Sequence, residues 1–134
     1  MGASGISIFE DDASLVWLDA YASSGAGKVA RALDDAAGTP VTEVLELDRG
    51  AAARVAAEVV AVALGDLPEG ITQDQLERLN VHGSDVRALP DIKSRAKAAV
   101  NRIISDKSEL HELWMERDQR AWVAAINDLQ RRLG

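Results

Sequence analysis

A chain of 134 residues with 47% hydrophobic content is the size of one domain and carries enough apolar material to build a core without metal or disulfide support. It has no cysteine, which excludes disulfides, zinc–thiolate sites and cysteine nucleophiles. The net charge of −7 argues against nonspecific nucleic-acid binding, because phosphates would be repelled.

The charge is uneven along the chain. Met1 to Glu77 holds 14 acids and 4 bases, and Arg78 to Gly134 holds 8 acids and 11 bases. An acidic first half thus faces a mildly basic second half. Strand-favouring residues are few, with one Tyr, one Phe and three Trp, and Ala dominates. This composition predicts an all-α fold.

The first eleven residues are Gly- and Ser-rich and read as an irregular lead, tied down by Ile6, Ile8 and Phe9. Asp11 or Asp12 then supplies an N-cap for a helix through about Tyr21. Trp17 within it is expected in the core, the alternative being a partner anchor. Ser23-Ser24-Gly25 breaks this helix, and a second follows from about Ala26 to Ala37, ended by Gly38 and Pro40. Val41 to Leu47 reads as an extended connection, with a strand as the minor option.

Asp48 is the expected cap of a helix from Arg49 to Leu64 that is apolar nearly all round, as a central bundle helix would be. Only Arg54 and Glu58 interrupt it, and at this length it does not span a bilayer. Thr72-Gln-Asp-Gln75 is a capping box, with Ile71 and Leu76 at the staple positions. Ser84 to Leu89 forms a further turn. The next helix runs from about Asp91 to Ile104, with Ile92, Ala96, Ala99, Val100 and Ile103 inward and Lys93, Lys97, Asn101 and Arg102 outward. Asp106 and Glu109 are spaced as N-cap and partner of a helix carrying Leu110, Leu113 and Trp114. Asp118 caps the last helix, in which Trp122, Ile126, Leu129 and Leu133 recur at helical spacing. The expectation is a compact bundle of about six or seven helices spanning 1–134 as one domain, with 1–11 as a non-helical lead.

No catalytic residue is assigned. Ala22-Ser-Ser-Gly-Ala-Gly-Lys28-Val29 fails the phosphate-loop pattern at Ala22 and Val29. His111 lies in Glu109-Leu-His-Glu112, but Met115 stands where a zinc protease needs its second His. An exposed helical His is the expectation there, and no metal or cofactor is expected. The adjacent acids Asp11/Asp12 and Asp34/Asp35 read as caps and solvated charge. The N-terminus has no basic region and no apolar run of signal length, and Ile6 replaces the Ser or Thr of a myristoylation signal, so a cytoplasmic location is expected.

Met1-Gly-Ala-Ser-Gly-Ile-Ser-Ile-Phe-Glu-Asp-Asp12 resembles the opening of the bacterial domain-of-unknown-function family 4259, whose members begin Met-Gly-Ala-Trp-Gly and reach a Phe and an acidic run before a Trp-bearing helix. Ser108-Glu-Leu-His-Glu-Leu-Trp114 and Trp122 to Leu129 are similar to its closing segment. Ser4 stands where the family usually has Trp. The resemblance implies no activity. It implies a bacterial cytoplasmic protein in which Gly2, Gly5, Phe9, Asp11 and Asp12 form a shared feature, the glycines permitting tight turns, Phe9 plugging the bundle and the acids capping the first helix.

These readings favour an interaction module, such as an immunity or inhibitor protein, whose acidic half meets a protein with a basic surface. Neither nucleic acid nor a membrane is an expected partner. A ligand- or metal-dependent enzyme of unfamiliar type is the alternative. A homo-oligomer using the Ala-rich helix as its interface is a third option.

Overall fold

The computed structural model describes residues 7–134. Gly2 and Gly5 lie outside them. A 3-10 turn, Ile8–Glu10, leads into seven helices: α1 (Asp12–Ser24), α2 (Ala26–Ala37), α3 (Leu47–Ala63), α4 (Gln73–Leu79), α5 (Gly83–Arg87), α6 (Ile92–Ile103) and α7 (Glu109–Leu133). The protein is a helical bundle, and among the described residues there is no strand, only an isolated parallel bridge between Leu45 and Ser108.

α3 is the axle. It packs against every other helix, and from Gly50 to Ala63 all its residues are buried except Ala52, which is partly covered. Each fully buried valine of Val55, Val59 and Val60 contributes about 1.5–3 kcal/mol. The intervening alanines let neighbours approach closely. Gly50 marks the tightest approach, because a Cβ there would lie 3.2 Å from Leu110 Cβ of α7. From Gly50 to Ala63 the Ala-rich face of this helix is taken up by its own chain, and only its first turn is exposed.

Local signals explain most helix starts. Asp11 caps α1, its carboxylate accepting from the Ser14 amide at 3.1 Å and from the Ser14 hydroxyl at 2.6 Å. Gly25, at φ 87°, is the single-residue joint that turns α1 into α2. The capping box of α4 is complete, Thr72 Oγ1 accepting from the Gln75 amide and Gln75 Oε1 from the Thr72 amide, both at 3.1 Å.

Two expected caps are corrected. α3 starts at Leu47, so Asp48 sits in its first turn and does not cap it. The reason is the bridge just before it. Leu45 donates to the Lys107 carbonyl at 2.8 Å and accepts from the Glu109 amide at 3.1 Å, holding the backbone extended up to Glu46. The Leu47 amide is then capped from across the bundle by the Glu109 carboxylate, at 2.8 Å. With Glu109 committed to α3, Asp106 does not cap α7. Ser108 does, its hydroxyl accepting from the His111 amide.

Asp118 behaves as expected of a cap, accepting from the Ala121 amide at 3.2 Å, but it does so inside one continuous run. Its φ of −159° and ψ of 75° break α7 into two segments with different directions.

Arg102 is also corrected. It is buried, and its guanidinium donates to the carbonyls of Thr39, Pro40, Glu43 and Asp106. Much of the loop between α2 and α3 is thus held by one side chain that has no carboxylate partner among the described residues, with Lys107 Nζ adding a bond to the Thr42 carbonyl at 3.1 Å. Arg102→Met keeps most of the apolar stem but strands these acceptors, and is expected to cost about 3 kcal/mol. Urea unfolding checks this. A loss below about 0.5 kcal/mol would show that water serves the loop equally well.

The two halves of the charge pattern do meet. Asp19–Arg78 at 2.7 Å, Asp34–Arg95 at 2.6 Å and Glu58–Arg132 at 2.9 Å each join an acid of the first half to a base of the second. The first two are exposed and contribute little; the third is buried.

Candidate docking groove

The starts of α1 and α3 and the first half of α7 converge on a groove of about 280 Å³. Ala13, Leu47, Ala51, Leu110, Leu113 and Trp114 form its apolar lining. Glu10, Asp11, Asp12 and Asp48 supply four carboxylates, against a single cation, Arg117. Part of this charge has a local cause, since Asp12 and Asp48 lie in first turns, where they complement the helix dipoles.

The four acids are not equivalent. Asp11 is committed to its cap. Glu10, Asp12 and Asp48 make no side-chain hydrogen bond or ion pair among the described residues, and all three are exposed. Asp11→Ala should cost about 1 kcal/mol through the lost cap, whereas Asp11→Asn, which caps as well, should cost almost nothing. Thermal unfolding of the two variants separates capping from charge; equal losses would show that the charge is what matters.

Behind the groove runs a layered stack. The Arg117 guanidinium lies over the Trp114 ring, 5.5 Å from its centroid. Trp114 stacks on Trp122, centroids 6.4 Å apart and planes 14° from parallel. Residues eight apart on a straight helix stand about 12 Å apart along its axis; the break at Asp118 lets these two rings meet. Trp122 is fully buried, donates its indole N–H to His111 Nδ1 at 2.9 Å, and carries Arg54 5.3 Å from its ring centroid. His111 is therefore half-buried and acts as an acceptor rather than standing exposed as expected.

Arg54 and Glu58 are both buried, one turn apart on α3. Burial pushes the Arg54 guanidinium below its ordinary pKa; the charges of Glu58 and Asp11 oppose that shift, and Arg132 adds to it. Asp11 thus links the groove to the buried charges beneath. Glu58 pairs with Arg132, which also holds Asp128 at 2.8 Å. Burial acts to lower the Arg132 pKa, but hydrogen bonds and charge from Glu58 and Asp128 outweigh it, and the value is raised.

The sequence candidates fall in three places. Asp11 and Asp12 line the groove. Phe9 is half-buried beside a second cavity of about 310 Å³, lined also by Ile8, Arg54, Glu58 and Gln75. Ile8, on the same 3-10 turn, is buried, and Phe9 packs against the core beside it. Trp17 is buried, stacked on Tyr21 with centroids 5.4 Å apart, and forms part of a shallower groove of about 230 Å³ with Lys28 over its ring. Asp48 lines both grooves, so they adjoin. Burial pushes the Tyr21 phenol up to about 12, the His82 backbone opposing this and Asp85 reinforcing it.

Sequence reading missed Glu10, Asp48 and Arg117 as groove residues, since their convergence is tertiary. Among the described residues no three His, Asp or Glu side chains are grouped to hold a metal ion, and no helix is long and apolar enough to cross a membrane.

The family described as Domain of unknown function (DUF4259) matches residues 2–125. The chain belongs to the DUF4259 family. No curated protein and no solved structure matches it. In this DUF4259 protein the matched stretch contains the whole groove, together with Arg54 and Glu58. Asp128 and Arg132, which complete the buried charge network, lie past its end.

Proposed function

We propose that this DUF4259 protein is an interaction module that docks a protein with a basic surface, in the manner of an immunity or inhibitor protein, through the groove between α1, α3 and α7. One observation carries the reading: Glu10, Asp12 and Asp48 rim an apolar groove with no partner for their charge among the described residues. Apolar surface edged by one sign of charge suits a partner that brings aliphatic side chains and cations together. The same carboxylates would repel phosphates, so the reading takes a protein rather than a nucleic acid. Lack of cysteine suits a cytoplasmic setting.

The test begins with capture of the partner from the native cell and its purification. Association is then measured with the parent and with a Glu10→Gln/Asp12→Asn/Asp48→Asn variant. The expected result is an association rate at least tenfold slower at low salt, with the difference shrinking as salt is added. Equal rates and equal affinities would sink the reading.

A further inference from the structure

We infer that Arg117 is a resident stand-in for the partner's own cation, and that the docked partner lays an arginine side chain, flanked by aliphatic residues, over Trp114 in its place. The inference rests on the docking reading above and names what the groove recognises.

Trp114 is stacked on the buried Trp122, centroids 6.4 Å apart. Arg117, which lines the groove, lies over the ring as well, 5.5 Å from its centroid. Arg117 is exposed and has no ion pair with any of the four carboxylates around it. It rests on the ring, and an exposed cation–π contact is weak and readily exchanged. It is also the last residue before the break at Asp118, so its side chain can swing out without disturbing a continuous helix.

The position it fills is built for a cation. An aromatic face lies beneath, the carboxylates of Glu10, Asp12 and Asp48 lie around, and Leu47, Leu110 and Leu113 lie alongside. An incoming arginine gains the same ring, since a planar guanidinium stacks on an aromatic face better than an ammonium does. Its aliphatic neighbours cover the leucines. Arg117, released, stays solvated at the rim. Three unpaired carboxylates against one internal cation leave room in the charge balance for the second.

The probe is the peptide acetyl-Leu-Gly-Arg-Gly-Leu-amide, with a twin carrying neutral, isosteric citrulline for arginine. Both are titrated to millimolar concentration into the parent, Arg117→Ala, Arg117→Gln and the Glu10→Gln/Asp12→Asn/Asp48→Asn variant. The Trp114 indole resonance is followed by NMR. The arginine peptide is expected to bind the two Arg117 variants about two- to fivefold tighter than the parent, to move the Trp114 resonance, and to lose its binding in the citrulline form. Equal or weaker binding to both Arg117 variants overturns the inference, as does no binding to any of the proteins. Loss of binding in the acid-neutralised variant without a gain in the Arg117 variants leaves the docking reading standing and removes only the stand-in role. Binding undiminished in the acid-neutralised variant removes the docking reading itself.

Discussion

Glu58→Gln is expected to remove about 3–5 kcal/mol of folding stability, read as a lowered urea midpoint with an unchanged slope. The substitution keeps shape and volume, so the loss is almost wholly electrostatic. Glu58 is 8% exposed and Arg132 4% exposed, and Arg54, one turn from Glu58, is 6% exposed. Glu58 is the only buried carboxylate among the described residues, and removing it takes away the negative charge that acts on both Arg54 and Arg132. Pairing Glu58→Gln with Arg132→Met should recover only part of the loss, because the Glu58 charge that opposes the lowering of the Arg54 pKa is still gone. The resulting coupling between Glu58 and Arg132 should lie in the range of about 0.5–3 kcal/mol. A single variant as stable as the parent would show that water reaches the pair.

The outer end of the same network gives a pH dependence. Burial acts to raise the Asp128 carboxyl, but hydrogen bonds from Arg131 and Arg132 outweigh it and hold the group below its ordinary 3.8. A lowered folded value means that its contribution is complete above pH 3.8 and disappears as pH falls through the lower folded value. The parent should therefore lose stability on acidification faster than Asp128→Asn, as seen in urea midpoints measured from pH 5 downward. Parallel curves would contradict the assignment.

Trp122→Ala is the second large effect, about 3–5 kcal/mol. No part of Trp122 reaches solvent, and its ring is shared by Trp114, Arg54 and His111. Against a typical total of about 5–15 kcal/mol, the variant stands close to unfolding at room temperature. Trp122→Phe separates the causes. It keeps an aromatic face for Arg54 and Trp114 and loses the N–H donated to His111, whose half-exposed ring can turn to water, so about 1 kcal/mol is expected. If phenylalanine costs as much as alanine, the hydrogen bond and not the packing dominates.

Helix starts governed by side chains within four residues were legible in the sequence. The Thr72 box, the Asp11 cap and the Asp118 cap all depend on such neighbours. The largely apolar character of α3 also announced its central place. What escaped were contacts closed over long separations. Glu109 caps Leu47 from 62 positions away, which moved the start of α3 and passed the α7 cap to Ser108. Arg102 reads as an outward residue by helical spacing, yet the loop that folds over it turns carbonyls inward. Arg54 and Glu58 were visible as two charges in an apolar helix, but the ion-pair partner of Glu58, Arg132, comes 74 positions after it. The groove follows the same logic: Asp11 and Asp12 are neighbours in sequence, while Asp48 and Arg117 reach them only when three helices meet.

The burial of α3 on all sides also bears on synthesis. Its cover includes α6 and α7, which follow it in the chain. Seventy residues, from Leu64 to Leu133, must be translated before that cover is complete. At roughly 5–20 residues per second this takes about 4–14 s. For that interval on the ribosome the Ala- and Val-rich α3 is a nascent apolar segment with its later-made neighbours still missing. The two charges at Arg54 and Glu58, awkward in the finished core, are then the polar groups that keep this segment wet until Arg132 emerges.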